Sequence, residues 1–428
     1  MDEQLQKTIV DILGKRMNRQ LLYYLDTCTR CSLCKDACHQ YVMTRDVTYL
    51  PAYRAELLRR VYRKHFTRTG RFLSVLGGAG DIDDRWLDEL YKVTYSCTGC
   101  RRCMYYCPFS IDTSWVLAIA KAILVAAGRV PSIMNEISNA SIFKGENIAA
   151  LKDDMIEVLK NDEKELQKKT GDPGAAIPVD VKGAEILYVS LPGKYSILPA
   201  ASIFHRAGAS WTLSLYEPAN FGYFMGDNEK AVATARRVID EARRLQVKEV
   251  VISECGHGFR VMKWLYESWS REKHPFRVRC ILDVMATFVK EGRIGLDRGQ
   301  IREALTYHDP CQMARNGDIY EEPRYLLRQI AADFRELRPN REKNWCCGGG
   351  GGIQAEPELE EFRLRTGQKK VEQIRNSGAR IVVAPCDNCR LQLDDLNRKH
   401  SLDIKVCSVM ELVADAMIRP GSSARRTN

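Results

Sequence analysis

The chain has 428 residues and a formal net charge of +10, with 45% hydrophobic and 28% charged residues. This length exceeds one ordinary hydrophobic core and predicts two or three domains of a folded globular protein. No stretch approaches the roughly 18 uncharged apolar residues of a membrane span. The acidic, amphipathic N-terminus lacks the apolar core of a signal peptide, so we expect a cytoplasmic protein without a membrane span of its own.

Cysteine usage is high, at sixteen residues. A disulfide scaffold fits a short secreted chain, whereas a long chain without a signal peptide uses thiolates to hold metal. The positive charge is densest at residues 54–71. That stretch fits either a solvated helical face or docking to an acidic partner protein.

The predicted elements divide the chain into a helical part and an α/β part. Helices surround two cysteine motifs, and a polar stretch ending KKTGDPGAAIPVD predicts a linking helix and a hinge. Short β-branched runs then alternate with amphipathic helices. The predicted parts are an N-terminal helix (1–20), a helical domain with both cysteine motifs (21–131), the linker (132–180), a first α/β half (181–300), a second α/β half (301–418) and a disordered tail (419–428).

The α/β part contains a weak internal repeat. The strand VKEVVIS is followed by CGHG at 255–258, and the strand ARIVVAP is followed by CDNC at 386–389. We therefore expect two pseudo-symmetric halves, with most cysteines kept in the second. The predicted fold class is a mostly α-helical domain followed by an α/β region of two related halves.

Two four-cysteine motifs in the helical part share the spacing C-x2-C-x2-C-x3-C. In two-cluster ferredoxins the first three cysteines of such a run hold one [4Fe–4S] cubane, and the fourth reaches across to the other cluster. We therefore expect two cubane clusters that transfer electrons. The first predicted ligand set is Cys28, Cys31, Cys34 and Cys107, and the second is Cys97, Cys100, Cys103 and Cys38.

Zinc is the alternative metal for such motifs, but it prefers two separated C-x2-C pairs around one tetrahedral site. Two complete four-cysteine runs argue against zinc. His39 follows the first motif in place of the usual proline. We interpret His39 as a surface residue or as a hydrogen-bonding neighbour of the ligands, not as a ligand.

A second cysteine group in the C-terminal half has the order C-x34-CC-x38-C-x2-C. Five thiolates exceed what one cubane needs, and adjacent cysteines suit tetrahedral zinc poorly, so a distorted cluster is favoured. Gly348 and Gly349 open a glycine run that lets backbone N–H groups approach the cluster sulfurs. A phosphate loop is the alternative, but no Gly-Lys-Ser/Thr follows. The group comprises Cys311, Cys346, Cys347, Cys386 and Cys389.

The segments HDPC, WCCGGGG and APCDNC, together with the ferredoxin motifs, resemble the catalytic CCG-domain subunit of membrane-linked heterodisulfide reductases. The chain is also similar to the cytoplasmic iron–sulfur subunit of the transmembrane complexes of sulfate reducers, and to one component of tungsten benzoyl-CoA reductase complexes. The resemblance runs from about Leu21 to Met417. It implies a noncubane [4Fe–4S] cluster on the five C-terminal cysteines, where this family cleaves disulfides.

The first α/β half departs from the doubled family pattern. Gly193 and Gly258 stand where counterparts of Cys311 and Cys389 are expected, and YEPANFG replaces the CCG segment. A second noncubane cluster is therefore not expected. We interpret the remaining Cys255 as an inert residue of the cleft, with a spare ligand or a redox-active thiol as alternatives.

Two histidines accompany these cysteines. His308 stands three residues before Cys311, and His257 follows Cys255 by two. Because histidine titrates near neutrality, each is a candidate proton donor to a leaving thiolate. The alternative for each is a hydrogen bond to a neighbouring ligand or a satisfied buried side chain.

Three functions are compatible with these motifs. The first is an oxidoreductase subunit that passes electrons through two cubane clusters to a noncubane site for disulfide/thiol redox chemistry. The alternatives are a purely electron-transferring subunit that serves a flavoprotein dehydrogenase or another reductase, and a scaffold. No GxGxxG fingerprint is present. The expected partner is therefore a flavoprotein, a ferredoxin-like protein or a membrane cytochrome subunit, and not nucleic acid. A membrane cytochrome subunit as partner would place the chain peripherally on a membrane complex.

Overall fold

A computed structural model describes residues 1–73, 81–145 and 148–418, so the predicted tail at 419–428 lies outside the described residues. The chain folds into two compact units, each built from separated segments. The first unit comprises Met1–Ile137, Phe221–Asn228 and Trp345–Val371. The second comprises Ser138–Asn220, Glu229–Asn344 and the segment that begins at Glu372.

The first unit is helical, as the sequence predicts. Short 3-10 turns at Leu33–Ala37, Val47–Tyr49, Ile353–Ala355 and Pro357–Leu359 connect its helices. The helices are α1 (Glu3–Arg16), α2 (Arg19–Thr27), α3 (His39–Thr44), α4 (Pro51–Phe66), α5 (Arg68–Leu73), α6 (Asp84–Tyr95), α7 (Arg102–Tyr106), α8 (Thr113–Ala126), α12 (Phe221–Met225) and α18 (Glu360–Thr366). Three further helices contain a boundary between the units: α9 (Ser132–Phe143), α19 (Gln368–Ser377) and α13 (Asn228–Leu245), of which only Asn228 belongs to the first unit.

The helices α4, α6 and α8 pack on one another around the core of the first unit. Leu90 and Ile123 are fully buried there. Both α6 and α8 begin with an aspartate whose carboxylate accepts a backbone N–H of the first turn, Asp83 from Trp86 and Asp112 from Trp115. Such caps satisfy N–H groups that have no partner within the helix, and so fix where each helix begins.

The second unit contains two four-stranded parallel sheets with helices between successive strands. The strands are β1 (Ile186–Val189), β2 (Trp211–Leu213), β3 (Glu249–Ile252), β4 (Arg277–Cys280), β5 (Leu305–Tyr307), β6 (Phe334–Glu336), β7 (Ile381–Val383) and β8 (Lys405–Cys407). The helices are α10 (Ile148–Thr170), α11 (Lys194–Arg206), α13 (Asn228–Leu245), α14 (Gly256–Arg260), α15 (Tyr266–Ser270), α16 (Ile281–Lys290), α17 (Glu321–Ile330), α20 (Asp387–His400) and α21 (Val409–Asp415). A π-helical turn at Val261–Leu265 joins α14 to α15, and a 3-10 turn lies at Arg341–Lys343.

The two sheets have the same topology. The strand order is β2-β1-β3-β4 in one and β6-β5-β7-β8 in the other, and every pairing is parallel. Each half therefore repeats the same permutation of its four strands, which confirms the predicted pair of pseudo-symmetric α/β halves. In such sheets, functional residues gather at the carboxyl ends of the strands, which here are followed by the cysteine segments.

Candidate metal centres

The two ferredoxin motifs have the same backbone conformation. In each, the residue before and the residue after the second cysteine are left-handed, and a short helical turn ends just before the fourth cysteine. Alternation of right- and left-handed residues turns successive N–H groups toward one point, which suits an anionic cluster. The left-handed residues are Arg30 (φ 57°), Ser32 (φ 63°), Gly99 (φ 63°) and Arg101 (φ 59°).

The four cysteines expected to hold the first cluster line one cavity. Its other lining residues include Ala52, Leu33 and Phe109. Cys31 is exposed, as are Leu33 and Phe109, so this cavity lies at the surface of the first unit. The cysteines that line it are Cys28, Cys31, Cys34 and Cys107.

The cysteines expected to hold the second cluster also lie near one another, but deeper. Burial raises the pKa of Cys38 to about 11; Arg54 opposes this shift, and the Cys100 and Cys97 thiols add to it. Burial likewise raises the pKa of Cys103 well above its usual value, with Cys100, Cys97 and Cys38 adding to the shift. Four crowded, half-buried thiols are unfavourable as free thiolates. They fit a metal cluster, whose iron compensates their charge.

Two buried arginines support the same region. The Arg54 guanidinium donates to the Val93 carbonyl at 2.9 Å and to Gln40 Oε1 at 2.5 Å. Arg102 donates to the Ala37 carbonyl at 2.8 Å and stacks over the Trp345 ring at 3.5 Å. Both are at most 2% exposed, and buried positive charge favours nearby thiolates. Neither was singled out as a site residue from the sequence, and the basic stretch that contains Arg54 was interpreted as a solvated face or a docking surface, whereas Arg54 is buried.

The CC pair folds as part of the first unit, with the ferredoxin motifs. The Gly348 N–H lies 3.4 Å from Cys346 Sγ, and the Gly349 N–H lies 3.5 Å from Cys347 Sγ. These two glycines thus direct backbone donors at sulfur, the arrangement expected beside a cluster. Both cysteines are 2% exposed.

The later glycines of the run contact the second ferredoxin motif. A Cβ on Gly351 would lie 2.6 Å from the Cys97 carbonyl oxygen, and one on Gly350 would lie 3.1 Å from that of Thr98. Gly351 also has φ +73°, which strains any other residue. The glycines therefore allow backbone to approach backbone at this point.

His39 is buried beside these groups, with 2% of its surface exposed. One ring nitrogen of His39, Cys100 Sγ and Cys346 Sγ all lie within 4.8 Å of one another. The interpretation of His39 as a surface residue is wrong. Its position fits the other interpretation, a neighbour of the sulfur ligands.

The other three C-terminal cysteines belong to the second unit. Cys311 follows β5, and Cys386 is the N-cap of α20 after β7. Since β5 and β7 are parallel neighbours, these cysteines follow the same edge of the sheet. A hydrogen bond from the Cys389 thiol lowers the pKa of Cys386 in spite of burial.

His308 is held by the Asn344 amide. Asn344 Nδ2 donates to the Asp309 carbonyl at 3.0 Å and contacts His308 Nδ1 at 3.1 Å. Because the carbonyl fixes the amide as donor, Nδ1 is the acceptor and a neutral His308 carries its hydrogen on Nε2. The His308 ring and Cys389 Sγ lie within 4.8 Å of each other.

Comparisons with known proteins identify both cysteine-rich regions of the chain. A 4Fe-4S dicluster domain model matches residues 24–111, and the cysteine-rich domain model CCG matches residues 305–394. The Hdr-like menaquinol oxidoreductase iron-sulfur subunit 2 of Archaeoglobus fulgidus is 30% identical over 454 residues, covering 94% of this chain and 81% of that protein. The chain belongs to the family of heterodisulfide reductase-like iron–sulfur subunits.

More distant relatives cover similar lengths of the chain. A subunit of the dihydromethanophenazine:CoB--CoM heterodisulfide reductase of Methanosarcina acetivorans is 25% identical over 94% of this chain and 96% of its own length. The EtfAB:quinone oxidoreductase of Syntrophomonas wolfei is 22% identical over 92% of this chain and 58% of its own length. The resemblance inferred from the motifs is thereby confirmed, as is the identification of an iron–sulfur protein of redox electron transfer.

In this family member the first α/β half has no room for the missing cysteine. Cys255 N-caps α14 after β3, as Cys386 N-caps α20 after β7, which makes Gly258 the counterpart of Cys389. A Cβ on Gly258 would lie 2.3 Å from the Pro218 carbonyl oxygen. Pro218 belongs to the YEPANFG segment, so that segment occupies the space of the side chain that was lost.

The same segment fixes His257. The Asn220 N–H donates to His257 Nε2 at 3.1 Å, so the neutral ring carries its hydrogen on Nδ1, 3.6 Å from Cys255 Sγ. Burial lowers the pKa of His257 to about 4 and raises that of the Cys255 thiol. At neutral pH this pair is therefore a neutral imidazole and a thiol, which agrees with an inert Cys255.

Among the residues that the structure describes, no helix combines the length and hydropathy required to cross a bilayer.

Proposed function

We propose that this chain is the iron–sulfur subunit of a multisubunit redox complex, and that it passes electrons between two cubane clusters and a noncubane [4Fe–4S] site of the heterodisulfide reductase type. The observation that carries the proposal is the crossed grouping of the ferredoxin cysteines, in a chain whose sequence keeps the complete set of CCG cysteines. The proposed ligands are Cys28, Cys31, Cys34 and Cys107 for the first cubane, Cys97, Cys100, Cys103 and Cys38 for the second, and Cys311, Cys346, Cys347, Cys386 and Cys389 for the noncubane cluster.

The surroundings of the noncubane ligands support an anionic cluster. Cys346 and Cys347 each face a glycine N–H. Hydrogen bonds to ligand sulfurs stabilise their negative charge and set the reduction potential. These contacts are what Gly348 and Gly349 contribute to the proposed site.

The proposed chemistry is disulfide/thiol redox, which makes the chain an oxidoreductase subunit. A disulfide takes up two electrons and two protons as its S–S bond breaks to give two thiols, whereas an iron–sulfur cluster supplies one electron at a time. His308 is the candidate proton donor, because its ring and Cys389 Sγ lie within 4.8 Å of each other and the imidazolium form of histidine can give a proton to a thiolate. We assign His257 the lesser role of a hydrogen-bond donor to Cys255, since its one hydrogen faces that thiol.

The proposed partners are other redox subunits. The relatives named above are a menaquinol oxidoreductase subunit, a heterodisulfide reductase subunit and a quinone oxidoreductase, so a quinol-linked membrane subunit or a flavoprotein is proposed for this chain. The cavity of the first cluster is the proposed approach for that partner, because Cys31 is exposed. This would place the chain peripherally on a membrane complex.

The test is whether a thiol alters the C-terminal cluster. Anaerobic protein is oxidised in the presence of 2-mercaptoethanol, and its paramagnetic spectrum is recorded with wild type, Cys386→Ala and the control Cys407→Ala. We expect a new signal in wild type and in Cys407→Ala, and its loss in Cys386→Ala with both cubane signals intact. Cys407 is a suitable control because it ends β8, outside the proposed ligand set.

The second candidate is a purely electron-transferring subunit. Pro218 supports this alternative, because it leaves no space in the first half for a counterpart of Cys389, so this half departs from the doubled family pattern. If no thiol or disulfide changes the spectrum, while a partner flavoprotein still reduces and reoxidises all clusters, the electron-transfer function is correct and the disulfide chemistry is not.

A further inference from the structure

His39 occupies a position at which the two ferredoxin motifs differ. Each motif ends in a cysteine with the same extended conformation, and the residue that follows is His39 in one and Pro108 in the other. Pro108 is exposed, whereas His39 is 2% exposed. The exchange of proline for histidine thus inserts an imidazole into the interior of the first unit.

That imidazole lies against sulfurs from two different cysteine groups. Cys100 belongs to the second ferredoxin motif and Cys346 to the CC pair, and one nitrogen of His39 lies within 4.8 Å of both sulfurs. The two sulfurs are themselves within 4.8 Å of each other. Under the proposed function, ligands of two separate clusters therefore lie within 4.8 Å of each other here, inside the first unit.

Cys346 Sγ is surrounded by hydrogen-bond donors. The Gly348 N–H lies 3.4 Å from it and the Thr98 hydroxyl 3.5 Å. An iron-bound thiolate has no hydrogen, so Thr98 must then donate. Thr98 is 2% exposed and lies between Cys97 and Cys100 in the second ferredoxin motif. A residue of the second ferredoxin motif thus donates a hydrogen bond to a sulfur of the CC pair.

The CC segment is fixed in this position by two further contacts. The Arg102 guanidinium lies 3.5 Å from the centre of the Trp345 ring, a buried cation–π contact. At the other end of the segment, Gly351 packs on the Cys97 carbonyl with no space for a side chain. The approach of Cys346 to Cys100 therefore rests on several contacts along the segment.

We propose that His39 is a positioning residue that couples the second cubane to the C-terminal cluster, through one ring N–H shared between the thiolates of Cys346 and Cys100. The inference rests on the proposed function. One electron passes between the Cys100 side and the Cys346 side, and no bond is made or broken. Hydrogen bonds to these thiolates stabilise the reduced state of each cluster and raise both reduction potentials.

The test is a redox titration followed by paramagnetic resonance on full-length anaerobic protein, after iron and sulfide have been counted. His39→Leu should lower both potentials, by about the 59 mV that equals a tenfold change for a one-electron couple. His39→Gln keeps an N–H donor and should restore much of the shift. Thr98→Val should lower only the C-terminal potential. His205→Leu is the control, since His205 pairs with Asp172 in the other unit and should change neither potential.

Unchanged potentials in His39→Leu, with full iron content, would overturn the inference and leave the proposed function standing. Wild-type protein with only about eight irons would instead refute the proposed function. If His39→Leu loses iron, the inference is tested instead on the paramagnetic spectrum of fully reduced wild-type protein. The inference requires magnetic coupling between the second cubane and the C-terminal cluster, and two independent signals would contradict it.

Discussion

Arg324 and Asp309 form a buried bidentate ion pair close to the first CCG cysteine, Cys311. Nη1 and Nη2 of Arg324 donate to the two carboxylate oxygens of Asp309 at 2.7 and 2.8 Å, and neither side chain is exposed. Asp309 also accepts the Arg341 N–H at 2.8 Å. Arg324 therefore holds the turn that carries Cys311.

Arg324→Met should destabilise the second unit by about 3–5 kcal/mol, because it leaves the Asp309 carboxylate buried without its partner. We also expect loss of the C-terminal cluster signal while both cubane signals persist. Urea unfolding followed by circular dichroism, with paramagnetic resonance on the same samples, measures both effects. Arg328→Met is the matched control on α17, since that side chain is 51% exposed. Equal stability of the two variants would contradict the role of the pair.

Gly258→Ala should destabilise the protein by about 1–3 kcal/mol through overpacking. The added Cβ would lie 2.3 Å from the Pro218 carbonyl oxygen, and backbone cannot move aside as a flexible side chain can. In Gly295→Ala, the control, the nearest atom would be 3.4 Å away. The urea midpoints of unfolding of Gly258→Ala and Gly295→Ala measure the difference in stability. Gly258→Cys should likewise fail to add a cluster, and additional iron in that variant would refute our account of the first half.

Glu241 should make stability depend on pH. Burial raises its pKa from 4.5 to about 7, although Ser214 and the Leu215 N–H donate to it. Because the folded state binds this proton more tightly than the unfolded state, stability falls as pH rises from about 4.5 through 7. The loss should reach about 3 kcal/mol. Glu241→Gln should remove this dependence when urea midpoints are measured between about pH 4.5 and 8, and parallel curves for the two proteins would contradict it.

Much of the prediction of the fold and of the candidate site rested on patterns of residues that are close together in the sequence. The ferredoxin spacing is local, so it indicated which cysteines would share a site, and Cys107 does line the cavity with Cys28. The β-branched runs predicted β1, β3, β7 and β8, because a run of such residues is also a local pattern. The polar three-residue strand β6 (Phe334–Glu336) has no such signal, because its pairing with β5 depends on the sheet and not on its own residues.

Long-range packing could not be predicted. The sequence indicated that YEPANFG replaces a CCG segment, but not that Pro218 fills the space beside Gly258. Nor did it indicate that Trp345–Val371 folds with the ferredoxin motifs, which brings Cys346 beside Thr98. The histidine in place of proline at position 39 was a visible signal, yet its burial depends on contacts with residues far along the chain.

The central claim is tested most directly by counting iron and acid-labile sulfide in anaerobically purified, full-length protein. Three four-iron clusters predict about twelve of each per chain. About eight irons would leave only the two cubanes and contradict the noncubane site. Zinc in stoichiometric amount would contradict the whole assignment of the cysteines.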